Sequence, residues 1–130
     1  MGIIERLATV WFVSAGIIIA GAAVWRYFGP PVLNIEPNWW NINRPIPQVQ
    51  WVASNFGTYE LVNIEKNDGA GTWTPITSAP LRANIWGYAE LITPSSPSTG
   101  LQLGTIEYRA VGLETGKIAY NNVTVSNVDR

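Results

Sequence analysis

Hydrophobic and polar positions divide the chain into two parts of different period. From Leu7 to Trp25 nineteen consecutive residues carry no charge, with Arg6 before them and Arg26 after them. At 1.5 Å per residue, a helix of that length spans roughly 28 Å, about the thickness of a bilayer's hydrocarbon core. The pattern predicts one long hydrophobic α-helix over residues 1–29, which must lie in lipid or in a packed bundle. Gly29 can take the left-handed conformation that ends a helix, and Pro30-Pro31 stops its continuation, so residues 30–31 form a short stiff joint.

Beyond Pro31 the period becomes two. Val32-Leu33-Asn34-Ile35, Val49-Gln50-Trp51-Val52, Tyr59 to Ile64, Ile106 to Val111 and Val123-Thr124-Val125 read as strands. Another strand is predicted over Leu81 to Leu91, with Trp86 and Tyr88 on one face and Gly87 at a bulge. Turn chemistry falls between them at Asn55-Phe56-Gly57, Asn67 to Gly71, Thr93 to Pro97 and Glu114-Thr115-Gly116. Seven short strands over residues 32–130 predict a mainly β domain, an Ig-like antiparallel β-sandwich behind the helix. The segments Val49 to Ser54, Tyr59-Glu60-Leu61 and Asn67-Asp68-Gly69 leading to Thr72 through Ile76 resemble the second to fourth strands of bacterial and archaeal Ig-like modules. Gly104 to Ala110 and Val123-Thr124-Val125 resemble their last two strands, and that likeness implies a tyrosine corner at Tyr108, its hydroxyl bonding upstream backbone.

Composition removes several classes of function. The formal net charge is -1 and charged residues are 13% of the chain, so no basic field exists to hold a nucleic acid backbone or an anionic membrane surface. Cys and His are both absent, which takes away thiol nucleophiles, disulfides, imidazole bases and the ordinary zinc and copper ligands. No catalytic residue, no metal site and no cofactor are expected. A domain of this size can be held by its core, so the lack of Cys does not exclude an extracellular location.

The leader admits three readings. A cleaved secretory signal would use Ala20-Gly21-Ala22, but its apolar core is too long and Glu5 weakens the basic start. A single-pass anchor fits the length and the terminal Trp11, Trp25, Tyr27 and Phe28, with one Arg on each side giving no orientation. A self-packing helix is the third: Gly16 and Ala20 lie four apart and Ala23 three further along, so they share a face on which a neighbouring backbone can approach closely. The acidic fifth residue, preceded by Ile3-Ile4 and followed by the apolar run, resembles the start of mature type IV pilins and related archaeal surface filaments. That resemblance implies that Glu5 meets the N-terminal amine of a neighbouring subunit in the filament core. A carboxylate on the first turn also favours the positive end of the helix, and buried in a dry bundle it requires a partner. The chain departs from the family's pattern in starting at Met1 and in carrying Arg6.

Five tryptophans lie in the polar part at Trp39, Trp40, Trp51, Trp73 and Trp86. Core packing is expected for Trp51, Trp73 and Trp86. Trp39 and Trp40 are adjacent, so in a strand they point to opposite faces and one of them meets something outside, a neighbouring subunit or a ligand. Glu60, Glu65 and Asp68 form the one acidic cluster, without the spacing of a calcium loop, and Asn67-Asp68-Gly69 is better read as a hairpin turn. Glu60 and Glu107 are the pair that a glycosidase reading would need. Asn122-Val123-Thr124 is an N-glycosylation triplet.

The sequence is therefore read as a structural subunit of an extracellular type IV pilus-like filament, held in the membrane before assembly. Its helices polymerise with copies of themselves in the core, its β-domains lie outside, and Glu5, Arg6, Gly16, Ala20, Ala23, Trp39 and Trp40 are the assembly residues. The alternative is a single-pass membrane-anchored Ig-like module, cellular or viral, that recognises a glycan or protein through exposed Trp residues.

Overall fold

The computed structural model describes residues 29–129. The predicted helix as far as Phe28, and with it Glu5, Arg6, Gly16, Ala20 and Ala23, lies outside the described residues. Among the described residues no helix is long and apolar enough to cross a membrane.

The described chain is mainly β. Nine strands run in order: β1 Val32–Glu36, β2 Trp39–Asn41, β3 Val49–Ser54, β4 Leu61–Asn67, β5 Trp73–Pro75, β6 Leu81–Arg82, β7 Ala89–Thr93, β8 Gly104–Gly112 and β9 Ile118–Ser126. One sheet has the order β1-β3-β7, and the other β2-β9-β8-β4-β5, with β6 paired to β4. All pairings are antiparallel except β2 with β9, which is parallel. The chain passes from the first sheet to the second across the cis peptide Glu36-Pro37.

Alternation builds the core. In β3, Val49, Trp51 and Ala53 are buried while Gln50 is exposed, and β1 buries Leu33 and Ile35 between exposed neighbours. The second sheet contributes Trp40, Val62, Ile64, Tyr108, Ala110, Ala119, Val123 and Val125 to the same cluster. Trp51 meets Tyr108 edge to face across the two sheets at 4.8 Å, and Trp40 meets the same Tyr108 at 6.4 Å. Full burial of such rings stabilises the fold by about 1.5–3 kcal/mol each. Two polar atoms in this layer find partners: Trp51 Nε1 donates to Thr93 Oγ1 at 3.0 Å and Trp40 Nε1 to the Pro37 carbonyl at 3.0 Å. The Asn121 side chain ties β9 to β1 by donating to the Leu33 carbonyl at 2.7 Å.

Four expectations need correction. Leu81 to Leu91 is not one strand: β6 ends at Arg82, β7 begins at Ala89, and the intervening turn is organised by Asn84, whose Oδ1 accepts from the amides of Trp86 and Tyr88. Trp86 consequently lies outside the core at 58% exposure. Trp73 is also outside the core, half-buried on the outer face of β5, where Arg109 lies 4.3 Å over its ring and Tyr120 is 6.0 Å away. Tyr108 sits in the core as a sandwich strand requires, but among the described residues its hydroxyl donates no hydrogen bond to upstream backbone. Burial pushes that phenol up to about 12.

Candidate functional site

The end of the sandwich at which the chain enters from Gly29 is organised by a carboxylate that no solvent reaches. Glu60 is fully buried at the start of β4, where the β3–β4, β6–β7 and β8–β9 connections meet. Its Oε1 accepts from the Gly57 amide at 2.7 Å, and its Oε2 accepts from the amides of Glu114 at 2.8 Å and Thr115 at 2.5 Å. The Thr115 hydroxyl donates to the same carboxylate at 2.9–3.0 Å. Burial pushes the Glu60 carboxyl up, but the Thr115, Gly57 and Glu114 amides and the Thr115 hydroxyl outweigh it, so the group lies below its ordinary value. Gly112 is required beside it, because a Cβ there would stand 2.6 Å from Oε2.

The same end grips the joint. Lys117 Nζ donates to the carbonyls of Asn55 at 2.9 Å and Gly29 at 3.3 Å, and Asn55 Nδ2 donates to the Pro30 carbonyl at 3.0 Å. Burial lowers the Lys117 ammonium from its ordinary value, and the Glu60 charge opposes that shift. Tyr59 is held in a left-handed conformation by its amide, which donates to the Asn84 carbonyl at 3.0 Å, and by Arg82, which donates to its carbonyl at 2.9 Å. Residues 55–60 and 83–88 are thereby one hydrogen-bonded unit at the joint.

A second region surrounds β2. Trp40 points inward and is buried, whereas Trp39 lies half-buried on the outer face, its Nε1 donating to the Val128 carbonyl at 3.3 Å. The adjacent pair therefore divides between faces as alternation demands. Trp39 lines a hollow with Glu36, Pro37, Asn38, Asn41, Arg44 and Asp129. Asn41 donates to Asp129 at 3.0 Å, and Arg44 pairs with Asp129 at 2.7 Å with both side chains exposed. The outer face of the same sheet also carries Trp73 and Tyr120 around Arg109, whose Nε bonds Glu65 Oε1 at 2.7 Å. Asn122 is exposed on β9, opposite Glu107 of β8.

The carboxylates grouped by sequence are dispersed. Glu60 is sealed at the joint end, Glu65 is paired to Arg109, and Asp68 accepts from the Thr74 hydroxyl in the β4–β5 hairpin. That hairpin turn is capped by Asn67 Oδ1, which accepts from the Gly69 amide at 2.8 Å. Glu107 is exposed on β8, far along the strand from Gly112, so it shares no cleft with Glu60. Of the expected assembly residues, Trp39 and Trp40 are the two that the described residues include, and the joint-end network was not read from the sequence at all.

Comparison with known proteins returns no match: no family model, no curated protein and no solved structure matches the chain.

Proposed function

We propose that the chain is a structural subunit of an extracellular type IV pilus-like filament, in which the apolar N-terminal helices pack together and the β-domain forms the outer sheath. The observation that carries this reading is the joint. Lys117 and Asn55 fasten the Gly29 and Pro30 carbonyls to the sandwich, so the point at which the chain enters the domain is fixed. A sheath needs that property, because a domain on a slack tether cannot take one position against its neighbours. The strand order, with β1-β3-β7 facing a sheet that ends in a parallel β2–β9 pair, supports an Ig-like classification of the sandwich. Glu5, Gly16, Ala20 and Ala23 supply the charge pairing and close helix approach that assembly would use. Negative-stain microscopy of the native material tests the reading: fibres are expected, and a monodisperse particle in detergent from which no polymer is ever recovered overturns it.

One observation favours a second reading, a membrane-anchored module that binds glycans. Trp39 borders a hollow supplied with Asn41, Arg44, Glu36 and Asp129, which combines an aromatic face with hydrogen-bonding groups suited to a sugar ring. A glycan array probed with the full chain, with Trp39→Ala as the control, separates this reading from the first.

A further inference from the structure

We propose that the joint end of the sandwich rests on the head-group layer of a bilayer, with Tyr59, Ile85 and Trp86 in the lipid interface. The inference rests on the reading that Leu7–Trp25 lies in the membrane before assembly. Three large side chains stand out from this end at 54%, 46% and 58% exposure. They belong to the two loops that hydrogen bonds join: Thr58 Oγ1 donates to the Ile85 carbonyl at 2.9 Å and the Phe56 amide to the Gly87 carbonyl at 3.1 Å. Through Asn55 and Lys117 these loops also hold Pro30 and Gly29.

Chain length then limits how far the loops can stand from lipid. Three residues, Arg26-Tyr27-Phe28, separate the end of the uncharged run at Trp25 from Gly29. Even fully extended, the step from Trp25 to Gly29 covers at most about 14 Å. The head-group region is itself about 5–8 Å deep on each side of the hydrocarbon core. Loops fastened to Gly29 therefore lie at or just above that layer. Their chemistry suits it, since Trp and Tyr place an apolar ring in lipid and a polar tip in the head groups. Arg82, exposed and bonded to the Tyr59 carbonyl, brings a guanidinium to the height of the lipid phosphates. Glu60, which would repel them, is sealed beneath, leaving Glu114 as the exposed carboxylate of the β8–β9 turn.

The absence of Cys allows a single engineered thiol to carry a nitroxide label. The full chain bearing Ile85→Cys is reconstituted in vesicles of phosphatidylcholine with phosphatidylglycerol, and Leu103→Cys, 58% exposed just before β8 at the opposite end, is the reference. Protein that floats with the vesicles is expected to show a several-fold higher ratio of oxygen to nickel-chelate collisions at position 85 than at 103, placing the label within about 5–10 Å of the boundary between head groups and acyl chains. Trp86→Cys gives the same readout independently of any local effect at 85. Equal ratios at both ends in floating protein overturn the inference and leave the membrane reading standing, whereas failure to float overturns both. Spin–spin broadening at 85 that disappears on dilution with unlabelled chain would show a second copy covering this end, and would equally overturn it.

Discussion

Among single residues, Glu60 has the most consequence and was the least visible. In the sequence it is an ordinary acid beside Leu61. Its burial is decided by Gly57, Glu114 and Thr115, two of them more than fifty positions away, and no local pattern reports that partnership. Removing the carboxylate leaves the buried Gly57 amide and the partly buried Glu114 and Thr115 amides and Thr115 hydroxyl without their acceptor, so Glu60→Ala is expected to cost about 3–5 kcal/mol, read from urea unfolding followed by tryptophan fluorescence. The pH dependence follows from the direction of the shift. Because the folded carboxyl lies below its ordinary 4.5, the unfolded chain binds more protons between the two values. Its stabilising contribution is complete above the unfolded value and is lost as pH falls through the folded one. Lys117, lowered from 10.5, adds stability in the same sense at the alkaline end, as pH rises through its folded value. Urea midpoints measured across pH should fall on the acid side, and Glu60→Gln should flatten that acid limb. A limb unchanged in the Gln variant would show that Glu60 does not set it.

Elements were legible in proportion to their length and to how much alternation they carry. β1, β3 and β8 fall where period two placed them, because each sets a buried row against a half-buried or exposed one. β2 has three residues and β6 two, too few for a period to register. The Leu81 to Leu91 segment failed for a different reason, since its aromatic residues mimic a strand while Asn84 and Gly87 impose a turn. Gly87 adopts φ +73, and a Cβ there would stand 1.9 Å from the Phe56 carbonyl oxygen. That contact is with backbone, which cannot swing aside. Gly87→Ala is therefore expected to destabilise the domain by about 3 kcal/mol or more, through both the left-handed conformation and the clash. A thermal melt within error of wild type would show that the two loops are not tied together as described. Trp73 shows the complementary error: bulk alone reads as core, yet the Arg109 guanidinium and its Glu65 partner give that ring a place on an outer face.

For the whole molecule, the change from an apolar run to period two was plain in the sequence, whereas the bonds that hold Gly29 and Pro30 to the sandwich were not. The joint depends on carbonyls of Gly29 and Pro30, and backbone acceptors leave no trace in residue type. This fastening allows assembly and folding to be separated by experiment. Among the described residues the sandwich draws its core from Leu33 onward, so substitutions in the leader should leave its unfolding transition in place. Glu5→Ala removes the carboxylate proposed to meet a neighbour's amine, and Gly16→Leu puts a branched side chain into the seam proposed with Ala20. Both variants should retain the wild-type near-ultraviolet dichroism of the β-domain while fibre yield in negative stain drops sharply. A simple lipid anchor has no seam to obstruct and would accept Leu at position 16 as readily as Gly. Normal fibres from Glu5→Ala would remove the charge pairing alone, and normal fibres from both variants would remove helix packing of this kind as the basis of the filament.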